Sequence, residues 1–241
     1  MRHSSSIPFA QPFSIKRMLS LLTIFAATLL LSSCAATYMS AVNKSKPAHP
    51  YINLMVVFVK DAPEITRLDE TTYNNYVKMK FNNLADIQLR KQVEKTFANN
   101  ITTEATMINR SSDYFTVGDE FDYATFLRKV KESGAEGIIV VNNTSRSSST
   151  NYTTYGANTD VSYSVAEQAP SAVFLCYLLD LESKVPVWMS QADVSGNVYA
   201  DYNTLTNSLA RNVSGKLKKE GYIYVEIKDV PIVYTNATPV N

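Results

Sequence analysis

The chain has 241 residues, of which 45% are apolar, 11% aromatic and 19% charged. These values allow one domain with a substantial core, and they exclude a disordered, collagen-like, coiled-coil or polytopic membrane protein. Basic and acidic residues number 23 and 22, and without the first 33 residues the balance is 20 basic against 22 acidic. This near-neutral charge argues against nucleic acid as a partner, since nucleic acid requires a concentrated basic face.

The first 33 residues have the three parts of a secretory signal. Lys16 and Arg17 precede a largely apolar run over 18–31, and small residues follow it. The run is too short to span a bilayer comfortably. Met18 is an alternative start, because the residues before it add little that a signal needs. We therefore predict a cleaved signal peptide over residues 1–33.

The end of this segment, Leu31-Ser32-Ser33-Cys34, resembles the bacterial lipobox. The resemblance implies cleavage between Ser33 and Cys34 and acylation of Cys34, with palmitate among the attached chains. Two or three such chains anchor a protein stably, since each buried methylene contributes about 0.8 kcal/mol. An ordinary cleaved signal followed by a chance cysteine is the alternative. No aspartate and no acidic cluster follow Cys34, and by resemblance to known sorting patterns this implies the outer membrane and its periplasmic face.

The second cysteine, Cys176, has no partner for a disulfide if Cys34 carries lipid. It lies in the apolar run 172–179, which indicates a buried strand residue more than a reactive thiol. We therefore expect no disulfide and no cysteine chemistry in the domain.

Along the chain, residues 34–50 are predicted to be a polar, lipidated tether, with order beginning near Tyr51. The apolar, β-branched run 52–59 indicates a buried strand. The polar stretch 61–83 has no clear assignment. A helix is predicted at about 84–99, because four apolar residues recur at intervals of four and charged residues occupy the opposite side. The apolar set is Ala85, Leu89, Val93 and Phe97, and the charged set is Arg90, Lys91, Glu94 and Lys95.

A second helix follows a weak strand at 103–109. Asp122 is a good N-cap, apolar residues recur from Tyr123 to Val130, and Gly134 stands where a left-handed C-terminal cap is wanted. The next run, 137–141, is unbroken and apolar, which is typical of an interior strand after a βαβ connection.

The second half begins with residues 144–168, which are rich in Ser, Thr and Tyr and predict either a loop or edge strands. Two strands, 171–181 and 185–194, then form a hairpin. A last helix begins near Asp201 or Asn203, a strand is possible at 222–227, and residues 228–241 form a tail. The fold class is therefore α+β in the order β-α-β-α-β-(β-β)-α, a single domain over 51–227 with a mixed sheet and helices packed mainly on one face.

This order resembles a group of small envelope lipoprotein domains. The group includes the N-terminal domain of the translocation protein TolB, the core of the curli secretion lipoprotein and the outer-membrane activator of a peptidoglycan synthase. The features that carry the resemblance are the strand 52–59, the helix-glycine-strand unit ending at 141 and the hairpin 178–188 with its Val-Trp pair. They cover roughly residues 50–220 and are a pattern of elements, so they imply a fold but no function by themselves.

The sequence contains few residues suited to catalysis. The mature chain has one histidine, His49, and it lies in the tether, so neither a histidine triad nor a zinc cluster can form within the domain. No nucleophile-elbow or phosphate-loop motif occurs in a suitable context. Neighbouring carboxylates such as Asp69 and Glu70 point different ways, which disfavours a glycosidase pair. We expect no enzyme activity, no metal and no cofactor.

Two features are candidates for binding. Tyr152, Tyr155 and Tyr163, with Arg146 nearby, have the composition of an adaptable contact surface, although a solvated loop is the simpler explanation. Trp188 is a possible ligand platform, but more often such a residue belongs to the core. The sequence thus predicts a non-enzymatic, lipid-anchored envelope protein that binds another protein. The alternative is a periplasmic protein that binds a small ligand or glycan.

Overall fold

The computed structural model describes residues 35–78, 86–116, 121–155 and 163–224. They form one α+β domain around a mixed six-stranded sheet with the order β1-β6-β5-β4-β2-β3. The strands are β1 (Ala35–Asn43), β2 (Asn53–Lys60), β3 (Met107–Arg110), β4 (Gly137–Tyr155), β5 (Tyr163–Asp180) and β6 (Pro186–Gly196). The helices are α1 (Glu70–Thr72), which continues as a π-helical turn (Tyr73–Val77), α2 (Ile87–Ile101), α3 (Ser111–Tyr114), α4 (Tyr123–Glu132) and α5 (Tyr202–Lys219).

The sheet is parallel on one side and antiparallel on the other. Strand β2 pairs in parallel with β3 and β4, with α2 in the first connection and α4 in the second. Strands β4, β5, β6 and β1 pair antiparallel. This arrangement confirms the predicted α+β class and the interior position of the 137–141 strand.

Two hydrophobic clusters cover the two faces of the sheet. Alternate residues of β2 enter different clusters, since Leu54 and Phe58 pack with α2 and α5, whereas Met55 and Val57 pack with α1 and α4. The two longest helices, α2 and α5, share one face of the sheet, as the sequence predicts, and α4 and the π-helical turn after α1 pack on the other face. Both faces are covered because β2 is apolar and buried at every position from 54 to 59, so side chains on each face need a cover.

Two of the four charged residues predicted on the exposed side of α2 are buried. Arg90 is 1% exposed and Glu94 is 0% exposed. Glu94 Oε1 accepts hydrogen bonds from Arg90 Nε at 3.1 Å, from Ser111 Oγ at 2.5 Å and from the backbone N–H of Phe58 at 3.2 Å. The carboxylate thus joins α2, β2 and α3, because a buried charge is stable only when its oxygens are satisfied.

The predicted tether over residues 34–50 is wrong for most of its length. Residues 35–43 form β1, which pairs with β6 along its whole length. Ala35, Met39 and Ala41 face α5, whereas Tyr38 on the other face is 80% exposed. The small residues of this segment give only a weak strand pattern in the sequence, and the segment is a strand because it pairs with β6.

The local signals at helix ends are confirmed. Asp122 Oδ1 accepts from the N–H of Thr125 at 2.6 Å, and Gly134 has a φ of 76°. Asp201 caps α5 in the same way, by accepting from the N–H of Thr204 at 2.8 Å. These hydrogen bonds hold the pKa of Asp122 and of Asp201 below the usual aspartate value.

Replacing Glu94 by alanine should destabilise the fold strongly. The substitution removes the carboxylate that accepts from Arg90, Ser111 and the backbone of Phe58, and breaking a buried ion pair costs about 3–5 kcal/mol of unfolding free energy. Urea denaturation of Glu94→Ala measures this loss. The matched control is Lys91→Ala on the exposed side of α2, which should change the stability by less than about 0.5 kcal/mol. Equal effects of the two substitutions would contradict the buried ion pair.

Candidate functional site

The most distinctive feature of the molecule is a two-stranded ribbon that projects from the sheet. Strand β2 pairs with β4 only as far as Asn143, and β6 pairs with β5 only from Ser171 onward. Strands β4 and β5 nevertheless stay paired to Tyr155 and Tyr163. We call the paired segments 148–155 and 163–170 the ribbon.

A bulge marks the place where β4 leaves β2. The register of β4 against β5 shifts between Asn143 and Ser145. Asn143 is fully buried there, and its Nδ2 donates to the carbonyls of Ser145 and Val173 at 3.1 and 3.2 Å. Its backbone carbonyl accepts from the N–H of Asp61, where the chain turns away at the end of β2. Bulges of this kind bend a strand and end its pairing.

The neighbouring Asn142 holds the turn after β2 against β4. It is 0% exposed, its Oδ1 accepts from the N–H of Ala62 at 3.2 Å, and its Nδ2 donates to the carbonyl of Ala62 at 2.7 Å. Sequence reasoning did not identify either asparagine as important. One sequence feature could have identified them: two adjacent amides directly follow the apolar run 137–141. Buried amides at the end of an interior strand can satisfy backbone groups where the ladder stops.

Arg146, one of the predicted surface residues, lies at the base of the ribbon. Its side chain is exposed, but the guanidinium has partners on two sides. Nε donates to Asn143 Oδ1 at 3.0 Å, and the guanidinium carbon lies 4.0 Å from the centre of the Tyr202 ring. Arg146 therefore ties the base of the ribbon to the start of α5, and such cation–π contacts contribute about 0.5–2 kcal/mol.

The three predicted tyrosines all lie on the ribbon. Tyr155 and Tyr163 are cross-strand partners at its far end, and Tyr152 pairs with Ala166. Of the two alternatives for residues 144–168, the described parts are strands and not loop. The predicted lipidation site Cys34, the cleavage site Ser33–Cys34 and the signal peptide 1–33 lie outside the described residues.

The register shows which end of the sheet the ribbon leaves. Ala36 pairs with Ser195, Ser195 pairs with Ser171, and Ser171 pairs with Ser147. One row thus crosses the sheet from the start of β1 to the base of the ribbon. From Ser147 the ribbon runs on to Tyr155, which is about 26 Å at the usual rise of a strand. The ribbon therefore projects beyond the end of the sheet at which β1 begins.

The opposite end of the sheet holds an open cavity of about 490 Å³, and its lining includes His49, Tyr51, Lys131, Glu136, Asp180 and Glu182. Two of its carboxylates already serve the fold. Asp180 accepts from Tyr51 Oη at 3.0 Å and from both the N–H and Oγ of Ser183, and Glu136 accepts from the N–H of Ile52 at 2.8 Å. The geometry thus explains these acids as caps of a hairpin turn and of β2.

The two other candidate groups belong to the core. Trp188 is 0% exposed and its Nε1 donates to Glu220 at 2.7 Å, so its ring offers no platform to a ligand. Burial raises the pKa of the Cys176 thiol to about 12, so it stays protonated and unreactive at neutral pH. Both placements agree with the core assignments favoured by the sequence.

Within the described ranges, no three His, Cys, Asp or Glu side chains come together as metal ligands would. No helix in the same part of the chain is both long and apolar enough to cross a membrane.

The chain matches no protein-family model, and no curated protein sequence is similar to it. Among solved structures, it is similar to a PelC dodecamer from Paraburkholderia phytofirmans, with a TM-score of 0.41, 8% identity and coverage of 78% of this chain and 100% of that one. It is also similar to lipoprotein GNA1162 from Neisseria meningitidis, with a TM-score of 0.34, 11% identity and coverage of 70% of this chain and 99% of that one. A third similar structure is a PDZ domain protein from Parabacteroides distasonis, with a TM-score of 0.35, 8% identity and coverage of 85% of this chain and 40% of that one. Similarity at this level assigns the chain to no family.

Replacing Asn143 by alanine should loosen the base of the ribbon. The substitution removes the hydrogen bonds of this amide to the carbonyls of Ser145 and Val173 and to Arg146 Nε, and a hydrogen bond contributes about 0.5–1.5 kcal/mol to stability. Urea denaturation of Asn143→Ala measures the loss. Asn99→Ala on the exposed side of α2 is the control, and it should stay within about 0.5 kcal/mol of the parent protein. A similarly small change at Asn143 would show that the bulge does not depend on this amide.

The hydrogen bonds at Asp180 predict an acid-sensitive contribution to stability. Burial acts to raise the pKa of Asp180, but the donors from Ser183 and Tyr51 outweigh it and hold the pKa below the usual value. A carboxylate of this kind stabilises the fold above its unfolded pKa of about 3.9, and the contribution is lost as the pH falls through the lower folded pKa. Asp180→Asn should therefore be less stable than the parent protein at pH 7, and the difference should shrink below about pH 4.

The measurement is urea denaturation across that pH range. Ser183→Ala is the matched control, because it removes the hydroxyl donor and keeps the backbone donor. It should reproduce only part of the pH dependence. A difference between Asp180→Asn and the parent that is the same at every pH would contradict the expected role of the charge.

Proposed function

We propose that this protein is a lipid-anchored accessory protein of the bacterial cell envelope that recruits another protein and catalyses no reaction. The observation that carries the proposal is the ribbon, whose two strands pair with each other and, among the described elements, with no third strand. Two-stranded hairpins are marginally stable in water, and they become stable when a third strand or a packed surface covers them. A partner protein can supply that cover.

The composition of the ribbon suits such a contact. Residues 148–155 consist only of Ser, Thr, Asn and Tyr. Tyrosine offers a large amphipathic contact area at low entropic cost, and Ser, Thr and Asn offer adaptable hydrogen bonds. Arg146 fixes the direction of the ribbon through Asn143 and Tyr202, so less order has to be created on binding.

The lipobox resemblance at Leu31–Cys34 supplies the second part of the proposal. Acylation of Cys34 would confine the domain to a layer next to a membrane, and the sorting pattern places that layer at the periplasmic face of the outer membrane. Confinement raises the effective concentration of the domain toward other envelope proteins. A weak interface on the ribbon is then sufficient for recruitment.

In-cell crosslinking tests this function. A photoreactive residue at Tyr155 should give a reproducible adduct with one envelope protein. Tyr152→Ala combined with Tyr163→Ala should reduce its yield at least tenfold, because tyrosines at interface centres often contribute about 2 kcal/mol or more and about 1.4 kcal/mol is a factor of ten. Mass spectrometry of the covalent product identifies the partner.

Two controls keep the result specific. Tyr76, which is 39% exposed, lies outside the ribbon, and Tyr76→Ala should leave the adduct yield unchanged. A photoreactive residue at Lys91 should give only background. Background products at Tyr155 as well would contradict the ribbon as the binding surface.

A further inference from the structure

We infer that the partner of the ribbon is a protein embedded in the anchoring membrane, and that it adds strand structure to the ribbon at the depth of the lipids. The inference rests on the proposed function, since it names the partner of that same surface. It follows from where the register places the start of β1 relative to the ribbon.

The predicted anchor has almost no slack relative to the sheet. Cys34 immediately precedes Ala35, the first residue of β1, and Ala35 pairs with Gly196. Helix α5 holds the same point, because Ser208 Oγ donates to the carbonyl of Ala35 at 3.1 Å and lies 2.8 Å from Thr37 Oγ1. A lipid on Cys34 would therefore hold this end of the sheet close to the membrane surface.

The ribbon starts at the same end and within a short lateral distance. Strands β1 and β5 are two neighbours apart in the sheet, so the base of the ribbon lies about 10 Å to the side of β1 at the usual strand spacing. The ribbon extends about 26 Å further, whereas each polar headgroup layer of a bilayer is only about 5–8 Å thick. It is thus long enough to pass through the headgroups.

Exposed side chains at this end fit a position near lipid headgroups. Tyr38 on β1 is 80% exposed, and Tyr199, three residues after the end of β6, is 73% exposed. Tyrosine is enriched at membrane–water interfaces, where its ring is partly immersed and its hydroxyl stays in the polar layer.

Bare lipid cannot accept the ribbon. From Thr144 to Tyr155 the outer edge of β4 has no strand partner among the described elements. Each backbone group that enters hydrocarbon without a hydrogen bond costs several kcal/mol, so open strand edges occur at that depth only where protein or a water-filled space covers them. The Ser-, Thr- and Asn-rich sequence of 148–155 is likewise too polar to face hydrocarbon without a protein cover. A membrane-embedded protein that offers a strand to the outer edge of β4 satisfies both requirements.

Spacers between Cys34 and Ala35 test this inference. A helical spacer of 20 residues lifts the domain by about 30 Å, whereas a Gly/Ser spacer of equal length lets it return to the membrane. With the photoreactive residue at Tyr155, the helical spacer should reduce the adduct at least tenfold and the flexible spacer should retain most of it. Unchanged thermal unfolding midpoints of both variants would show that β1 still folds into the sheet.

The outcomes separate the inference from the proposed function. An adduct with an integral membrane protein that is lost only with the helical spacer supports the inference. An adduct with a soluble periplasmic protein that survives both spacers overturns the inference and leaves the proposed function standing. Adducts with lipid alone overturn the inference and the recruitment function together, and so does a lack of any specific protein adduct.

Discussion

The structure depends on the unequal lengths of its strand pairings. Strands β4 and β5 pair with each other over more residues than β4 pairs with β2 or β5 pairs with β6. Within the sheet their apolar halves lie between two helical layers. Beyond Asn143 and Ser171 the same two strands continue as a pair, with no third strand among the described elements. In β4 the composition changes at the same point, from an apolar run over 137–141 to Ser-, Thr- and Tyr-rich residues over 144–155. A strand that is covered on both faces must be apolar, as the first part of β4 is.

The junction between the two halves is held by buried amides rather than by apolar packing. Asn142 and Asn143 satisfy backbone groups at the turn after β2 and at the bulge of β4, where a regular ladder stops. Arg146 and Tyr202 then connect the junction to α5. Because α5 also holds the start of β1 through Ser208, the ribbon and the predicted anchor point are fixed to the same helix.

The local rules succeeded where a residue acts on its own neighbours in the chain. Asp122 and Asp201 cap their helices, Gly134 adopts the left-handed conformation, and the strands on either side of residues 182–184 form a hairpin. The same rules failed where distant segments decide. Arg90 and Glu94 have the spacing of an exposed ion pair, but Ser111 and the backbone of β2 enclose them.

By itself, the sequence determined the α+β class, the positions of most helices and strands, and the near-neutral charge of the body, because these follow from composition and local periodicity. The tertiary structure decided that residues 35–43 are a strand, that helices cover both faces and that three tyrosines share one ribbon. It also decided that this ribbon leaves the sheet at the end where β1 begins. Such facts depend on the register between segments far apart in the chain, and no local pattern encodes a register.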